Sequence, residues 1–166
     1  MPADLKSSRF PDLREWALRM EQVLAKAKIS PPTKAPAPER PPGPKRVLII
    51  EDDKDLADFL EDCLRNGRYQ LATAHDGRAG LSMIETFKPY LVVLDLLLPV
   101  VHGYDVLRIL RRDPGAASVK VLVSTAKVFD ADRQAAMRLG ADAFLPKPYT
   151  VQEFLDWVAR LIGQGG

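Results

Sequence analysis

RVLIIEDD (residues 46–53) joins a short aliphatic run to three successive carboxylates. Residues 46–50 have the pattern of a strand buried on both faces, which is typical of a parallel sheet covered by helices. Glu51, Asp52 and Asp53 then mark the point where that strand leaves the core. The same pattern repeats downstream. Residues 53–66 predict an amphipathic helix with Gly67 at its end, QLATA (70–74) a strand, and 77–87 a helix. LVVL (91–94) is a third strand, followed by a helix over 104–112. VKVLVS (119–124) precedes a helix over 130–139 stopped by Gly140, and AFL (143–145) precedes a last helix over 151–162. Five strands alternating with five helices require crossover connections, so the fold class is α/β, with a parallel sheet and helices on both faces.

Ahead of this pattern, SPPTKAPAPERPPGPK (30–45) holds seven of the fourteen prolines. Proline fixes φ and lacks an amide hydrogen, so the segment reads as an extended linker rather than helix or strand. Residues 1–29 form an N-terminal extension, in which 10–29 predict one helix. Leu13, Trp16, Ala17, Met20, Leu24 and Ala27 share its apolar face. A lone helix of this length needs that face covered. It either folds back on its own chain, docks on a partner, or pairs with itself in a homodimer. The expected organisation is thus 1–29 extension, 30–45 linker and 46–166 one α/β domain.

Composition excludes several classes. Hydrophobic content of 46% and charged content of 28% suit a soluble globular chain, and no apolar run is long enough to span a membrane. The first residues lack the apolar stretch of a secretory signal. A single cysteine, Cys63, forms no internal disulfide, which suits a cytoplasmic location; its spacing from Leu56 and Leu60 assigns it to a helix face packed on the core. Residues 1–45 carry nine Lys/Arg against five Asp/Glu, and the rest carry fifteen against seventeen. The larger part is slightly acidic and offers no basic stripe for nucleic acid.

In open α/β sheets, ligands gather at the carboxyl ends of the strands. The first strand exits into Glu51-Asp52-Asp53, the second into His75-Asp76-Gly77, and the third into Asp95. The fourth exits into Ser124-Thr125-Ala126 and the fifth into Pro146-Lys147-Pro148. Clustered carboxylates repel one another, and burial disfavours their charge unless a cation compensates. An oxygen-rich pocket of this kind suits Mg²⁺, which also binds phosphate oxygens. Asp53 falls at a helix start, where a capping role is expected.

VLIIEDD (47–53), LVVLDLLLPVVHG (91–103), VLVSTA (121–126) and FLPKP (144–148) resemble the motifs of the receiver domain of two-component response regulators. The resemblance covers residues 46–166. It implies a flavodoxin-like (βα)5 three-layer sandwich with strand order 2-1-3-4-5. It places the phosphoacceptor at Asp95, with the hydroxyl position at Thr125 and the lysine at Lys147. Their separations from Asp95, thirty and fifty-two residues, fit the family pattern. Mg²⁺ would be held by Asp52, by Asp95, by the backbone carbonyl of Leu97, and by Glu51 through water. Lys147, Thr125 and the amide of Ala126 would contact the phosphoryl oxygens. Thr125 and Phe144 would form the switch, and Pro148 is the cis-proline candidate.

The implied protein is a single-domain response regulator, phosphorylated by a histidine kinase or phosphotransfer protein. It would signal through the face formed by the fourth helix, fifth strand and fifth helix of the domain, without binding nucleic acid directly. It is not an enzyme beyond promoting its own phosphoryl transfer and dephosphorylation. With Leu97 two residues after the acceptor and Lys127 two after the hydroxyl, its aspartyl-phosphate is expected to decay slowly. Phe144 lacks a hydroxyl, so it would switch by packing alone. His102 reads as a solvated loop residue and Gly103 as a turn. Three other classes compete. An aspartyl-phosphate phosphatase needs a second aspartate where Leu97 stands. A flavin carrier needs a phosphate-cradling loop where Glu51-Asp52-Asp53 stands. A phosphorylation-independent interaction module would not need the full set of Glu51, Asp52, Asp95, Thr125 and Lys147.

Overall fold

The computed structural model of the chain describes residues 43–163. The expected helix at 10–29 and almost all of the proline-rich linker lie outside the described residues. Within them, strands and helices alternate without exception. They are β1 (Lys45–Ile50), α1 (Lys54–Leu64), β2 (Tyr69–Ala74), α2 (Gly77–Phe87), β3 (Leu91–Leu94), α3 (Gly103–Arg112), β4 (Lys120–Thr125), α4 (Asp130–Arg138), β5 (Ala143–Pro146) and α5 (Val151–Gly163). The strands form one parallel sheet in the order β2-β1-β3-β4-β5. This is the flavodoxin-like (βα)5 architecture and strand order that the sequence resemblance implies.

The aliphatic runs place β1 and β3 at the centre. Val47 to Ile50 and all of β3 are buried, because each strand has a helical layer on both faces. Val47, Ile49, Leu91 and Val93 point to one side, where Leu60 and Leu64 of α1 and Phe154, Val158 and Leu161 of α5 complete a core. On the other side Gly80 of α2 packs directly against Ile50, and α2 also contacts α3. Trp157 of α5 is only partly buried at the core's edge, with Arg160 over its ring at 4.9 Å. Cys63 also packs partly buried against this core, where burial pushes its thiol pKa up and the nearby Asp62 charge adds to the rise.

Local chemistry sets the helix starts that frame the sheet's carboxyl edge. Asp53 accepts from the Leu56 amide at 3.1 Å as the N-cap of α1, and Asp76 from the Ala79 amide at 2.8 Å as that of α2. At α5, Glu153 accepts from the Thr150 amide at 2.7 Å, and the Thr150 hydroxyl accepts from the Glu153 amide at 3.1 Å. This reciprocal pair is a capping box. The Glu153 carboxyl is held below its usual pKa by the Thr150 amide and hydroxyl. Gly140, with φ of 101°, ends α4 in a conformation few other residues adopt.

Candidate functional site

The exits of β1, β3 and β5 are held by the strands beside them. The Glu51 amide donates to Ala74 O at 3.0 Å, the Asp95 amide to Ile50 O at 3.1 Å, and the Lys147 amide to Thr125 O at 2.8 Å. These bonds carry the sheet ladder one residue past the strands and fix where the acidic and basic side chains begin. The carboxylates of Glu51, Asp52 and Asp95 all lie within 4.8 Å of one another. Glu51 and Asp95 are buried, while Asp52 is exposed at the mouth.

Lys147 reaches into this group from the β5 exit. Its Nζ lies 2.7 Å from Glu51 Oε2 and 3.4 Å from Asp95 Oδ2. The other Glu51 oxygen accepts weakly from the Asp53 amide at 3.3 Å, and Asp95 Oδ1 accepts from the Leu97 amide at 3.1 Å. Burial pushes the Glu51 pKa up and the Asp95 charge adds to the rise, against the pull of Lys147. Burial works against the Lys147 ammonium, but the hydrogen bond to Glu51 and the Asp95 charge outweigh it, so its pKa is raised. One ammonium faces three carboxylates, which leaves a surplus of negative charge in a partly desolvated pocket. A hard divalent cation with oxygen ligands fits that donor set.

Thr125 is fully buried at the end of β4, and its Oγ1 accepts from the Lys127 amide at 3.3 Å. Ala126 beside it is exposed. Phe144 is buried in β5, paired in register with Val123. The Lys147–Pro148 peptide bond is cis. Leu97 is half exposed on the loop after Asp95, and His102 is exposed at the N-cap position of α3 without a side-chain capping bond. The expectation for Gly103 needs correction. Its φ is not left-handed; it is the first residue of α3, and a Cβ there would sit 2.2 Å from Asp95 O and 2.5 Å from Leu96 Cα. Close approach of the helix to the Asp95 backbone, rather than turn geometry, accounts for this glycine.

Two tyrosines that sequence pattern does not single out complete the surroundings. Tyr149 Oη lies 2.7 Å from Ser124 Oγ, and either can be the donor. Tyr104, in the first turn of α3, donates to Asp132 Oδ1 at 2.8 Å. Lys127 Nζ lies 3.5 Å from the same oxygen and 5.2 Å from the Tyr104 ring centre. The available signals were weak: a tyrosine two residues after Lys147, and a serine just before Thr125 on the neighbouring strand.

A doubly wound parallel sheet with this acidic cluster and lysine at its carboxyl edge defines a receiver-type signalling domain. Residues 47–159 match the family model described as the response regulator receiver domain, and the chain belongs to that family of two-component signalling proteins. It is 37% identical over 118 residues to the DNA-binding response regulator MtrA of Mycolicibacterium paratuberculosis, covering 70% of this chain and 51% of that protein. It is 38% identical to the DNA-binding dual master transcriptional regulator RpaA of Synechocystis, covering 70% and 48%. The chain therefore spans about half the length of these curated relatives. Among solved structures, the receiver domain of a LuxO repressor protein from Vibrio parahaemolyticus superposes with a TM-score of 0.70 at 29% identity, covering 74% of this chain and 92% of that one. The receiver domain of a Pseudomonas aeruginosa sensor histidine kinase, described with a magnesium ion coordinated in its active-site cleft, gives 0.67 at 26% identity, covering 73% and 99%.

Proposed function

We propose that Asp95 accepts a phosphoryl group from a phosphohistidine of a partner kinase or phosphotransfer protein, and that the resulting aspartyl-phosphate switches protein contacts. The observation that carries this is the position of Lys147, whose ammonium bridges Glu51 and the proposed acceptor Asp95 within a cluster of three carboxylates. An Asp95 carboxylate oxygen attacks phosphorus, the P–N bond to the imidazole breaks, and its electron pair returns to the imidazole nitrogen. Glu51, Asp52, Asp95 and the Leu97 carbonyl would hold Mg²⁺, which when bound neutralises charge on the transferring group. Lys147 exchanges its bond to Glu51 for one to a phosphoryl oxygen, as a point charge on a flexible stem can. Thr125 Oγ1 gives up the Lys127 amide and turns to a second oxygen, with the Ala126 amide beside it. Movement of buried Thr125 frees volume that Phe144 can fill, and α4, β5 and α5 respond.

Val128, Phe129, Met137 and Val151 are exposed apolar residues on or beside α4 and α5, which supports a protein partner for this face. The slight acidic excess of residues 46–166 favours such a partner over nucleic acid. None of the described helices is long and apolar enough to cross a membrane. We place the switch in the cytoplasm, with the chain promoting only its own phosphoryl transfer and hydrolysis.

Intact mass after incubation with Mg²⁺ and phosphoramidate tests the proposal. The wild type is expected to gain one phosphoryl group and Asp95→Asn none. An unmodified wild type that also fails to bind Mg²⁺ would favour the phosphorylation-independent module.

A further inference from the structure

Lys147 needs its backbone held still if its ammonium is to meet a phosphoryl oxygen on Asp95. One anchor is visible in the ladder, the Lys147 amide donating to Thr125 O at 2.8 Å. A second lies two residues on, where Tyr149 Oη meets Ser124 Oγ at 2.7 Å. Ser124 is 1% exposed and directly precedes Thr125, so both anchors attach to consecutive residues of β4. The Tyr149 ring stacks on fully buried Phe154 at 6.0 Å between centroids, and the Thr150–Glu153 capping box fixes the chain immediately after it.

We infer that Tyr149 is a positioning residue for Lys147, acting through its hydroxyl bond to Ser124. The segment 147–149 is thereby pinned at both ends to the strand that carries Thr125. With the Tyr149 hydroxyl removed, the ring still packs on Phe154 and the capping box still holds the chain beyond it, but the Lys147 amide becomes the one remaining hydrogen-bond anchor of 147–149 to β4. The ammonium then samples more positions, and fewer of them place it within reach of the transferring phosphoryl group. Where the lost restraint falls on the transition state, the free energy of one hydrogen bond lowers the rate about fivefold. Because Ser124 neighbours Thr125, the same bond also ties the hydroxyl arm of the site to its lysine arm.

This inference rests on the proposed phosphorylation of Asp95, so the wild type is measured first. The rate of adduct formation with phosphoramidate and Mg²⁺ is compared among wild type, Tyr149→Phe, Ser124→Ala/Tyr149→Phe, Lys147→Met and Lys147→Met/Tyr149→Phe. Tyr149→Phe leaves Ser124 buried without its partner, and the Ser124→Ala/Tyr149→Phe pair removes both hydroxyls and returns most of the lost stability. A positioning role predicts that this double variant regains its melting temperature while its rate stays about fivefold low. It also predicts that Tyr149→Phe has no further effect once Lys147 is Met. A rate that recovers together with stability, or a full additional loss on top of Lys147→Met, overturns the inference. An unmodified wild type overturns the underlying function instead.

Discussion

Tyr104 shows how one side chain can be tuned by a helix it does not belong to. Its hydroxyl, in the first turn of α3, donates to Asp132 in the first turn of α4 at 2.8 Å. Burial, then this hydrogen bond and the Asp132 charge, push the phenol up to about 12. A raised pKa means that folding favours the neutral phenol. The corresponding stability is intact below the ordinary tyrosine value of about 10 and is lost as pH rises through the folded-state value. Titration of the phenol by NMR, assigned with Tyr104→Phe, should show this late ionisation, and Asp132→Asn should move it back toward the ordinary value. An unmoved midpoint in Asp132→Asn would leave burial as the sole cause. At this scale the sequence was unevenly legible. Asp53 could be read as a cap because an N-cap depends on the next three residues, and it does accept from the Leu56 amide. Gly103 was visible, but its reason was not: the Asp95 carbonyl that excludes a Cβ comes from an earlier loop residue brought close only by folding. The Ser124–Tyr149 bond spans twenty-five residues and leaves no periodic trace.

Among the elements, the β3–α3 loop carries an unusual backbone. Val100 has φ of 68° and is 71% exposed, so a β-branched residue occupies the left-handed region with little packing in return. Val100→Gly should therefore stabilise the domain by about 0.5–1 kcal/mol, the relief of strain exceeding the added flexibility of the unfolded chain. Urea denaturation measures this, and a destabilised variant would show that the Val100 side chain makes a contact worth more than its strain. The strands and helices themselves were readable because burial on both faces and amphipathic faces write different periods into the chain. The residues 77–87 and 91–94 were placed at the observed limits, whereas β4 and β5 each run one residue beyond the predicted end. Those extra residues, Thr125 and Pro146, lie at the sheet edge that carries the candidate site, where strand pattern is a weaker guide to residue type. The Arg111 cluster was invisible for another reason. Its guanidinium donates to the carbonyls of Gly140 at 2.7 Å and Val119 at 2.7 Å and to Asp142 at 2.8 Å, joining α3 to the starts of β4 and β5. Burial pulls the Arg111 pKa down against the Asp142 charge, yet a guanidinium remains protonated and holds these strand starts together.

Across the whole molecule, alternation implied a parallel sheet, but not the order β2-β1-β3-β4-β5; that came from resemblance to the receiver family and is what the sheet shows. The order matters because it sets β1 between β2 and β3, so that Glu51, Asp52 and Asp95 leave adjacent strands and meet. The fold thus brings three carboxylates together against one lysine, and this concentration of charge should make stability depend on a divalent cation in a way that reverses with mutation. Without Mg²⁺ the three carboxylates repel one another, so Asp52→Asn relieves repulsion and should unfold at slightly higher urea than the wild type. With Mg²⁺ the order should invert. A ligand that binds only the folded state stabilises it by an amount growing with the logarithm of its concentration, about 2.7 kcal/mol at a hundred times the dissociation constant. The wild type should gain this and lose it on addition of EDTA, while Asp52→Asn, lacking an exposed carboxylate at the mouth, should gain far less. Urea midpoints of both proteins across an Mg²⁺ series would therefore cross. Parallel curves would place any Mg²⁺ effect outside the cluster, whereas a crossing would assign it to the carboxylates that β1 and β3 deliver to the same edge.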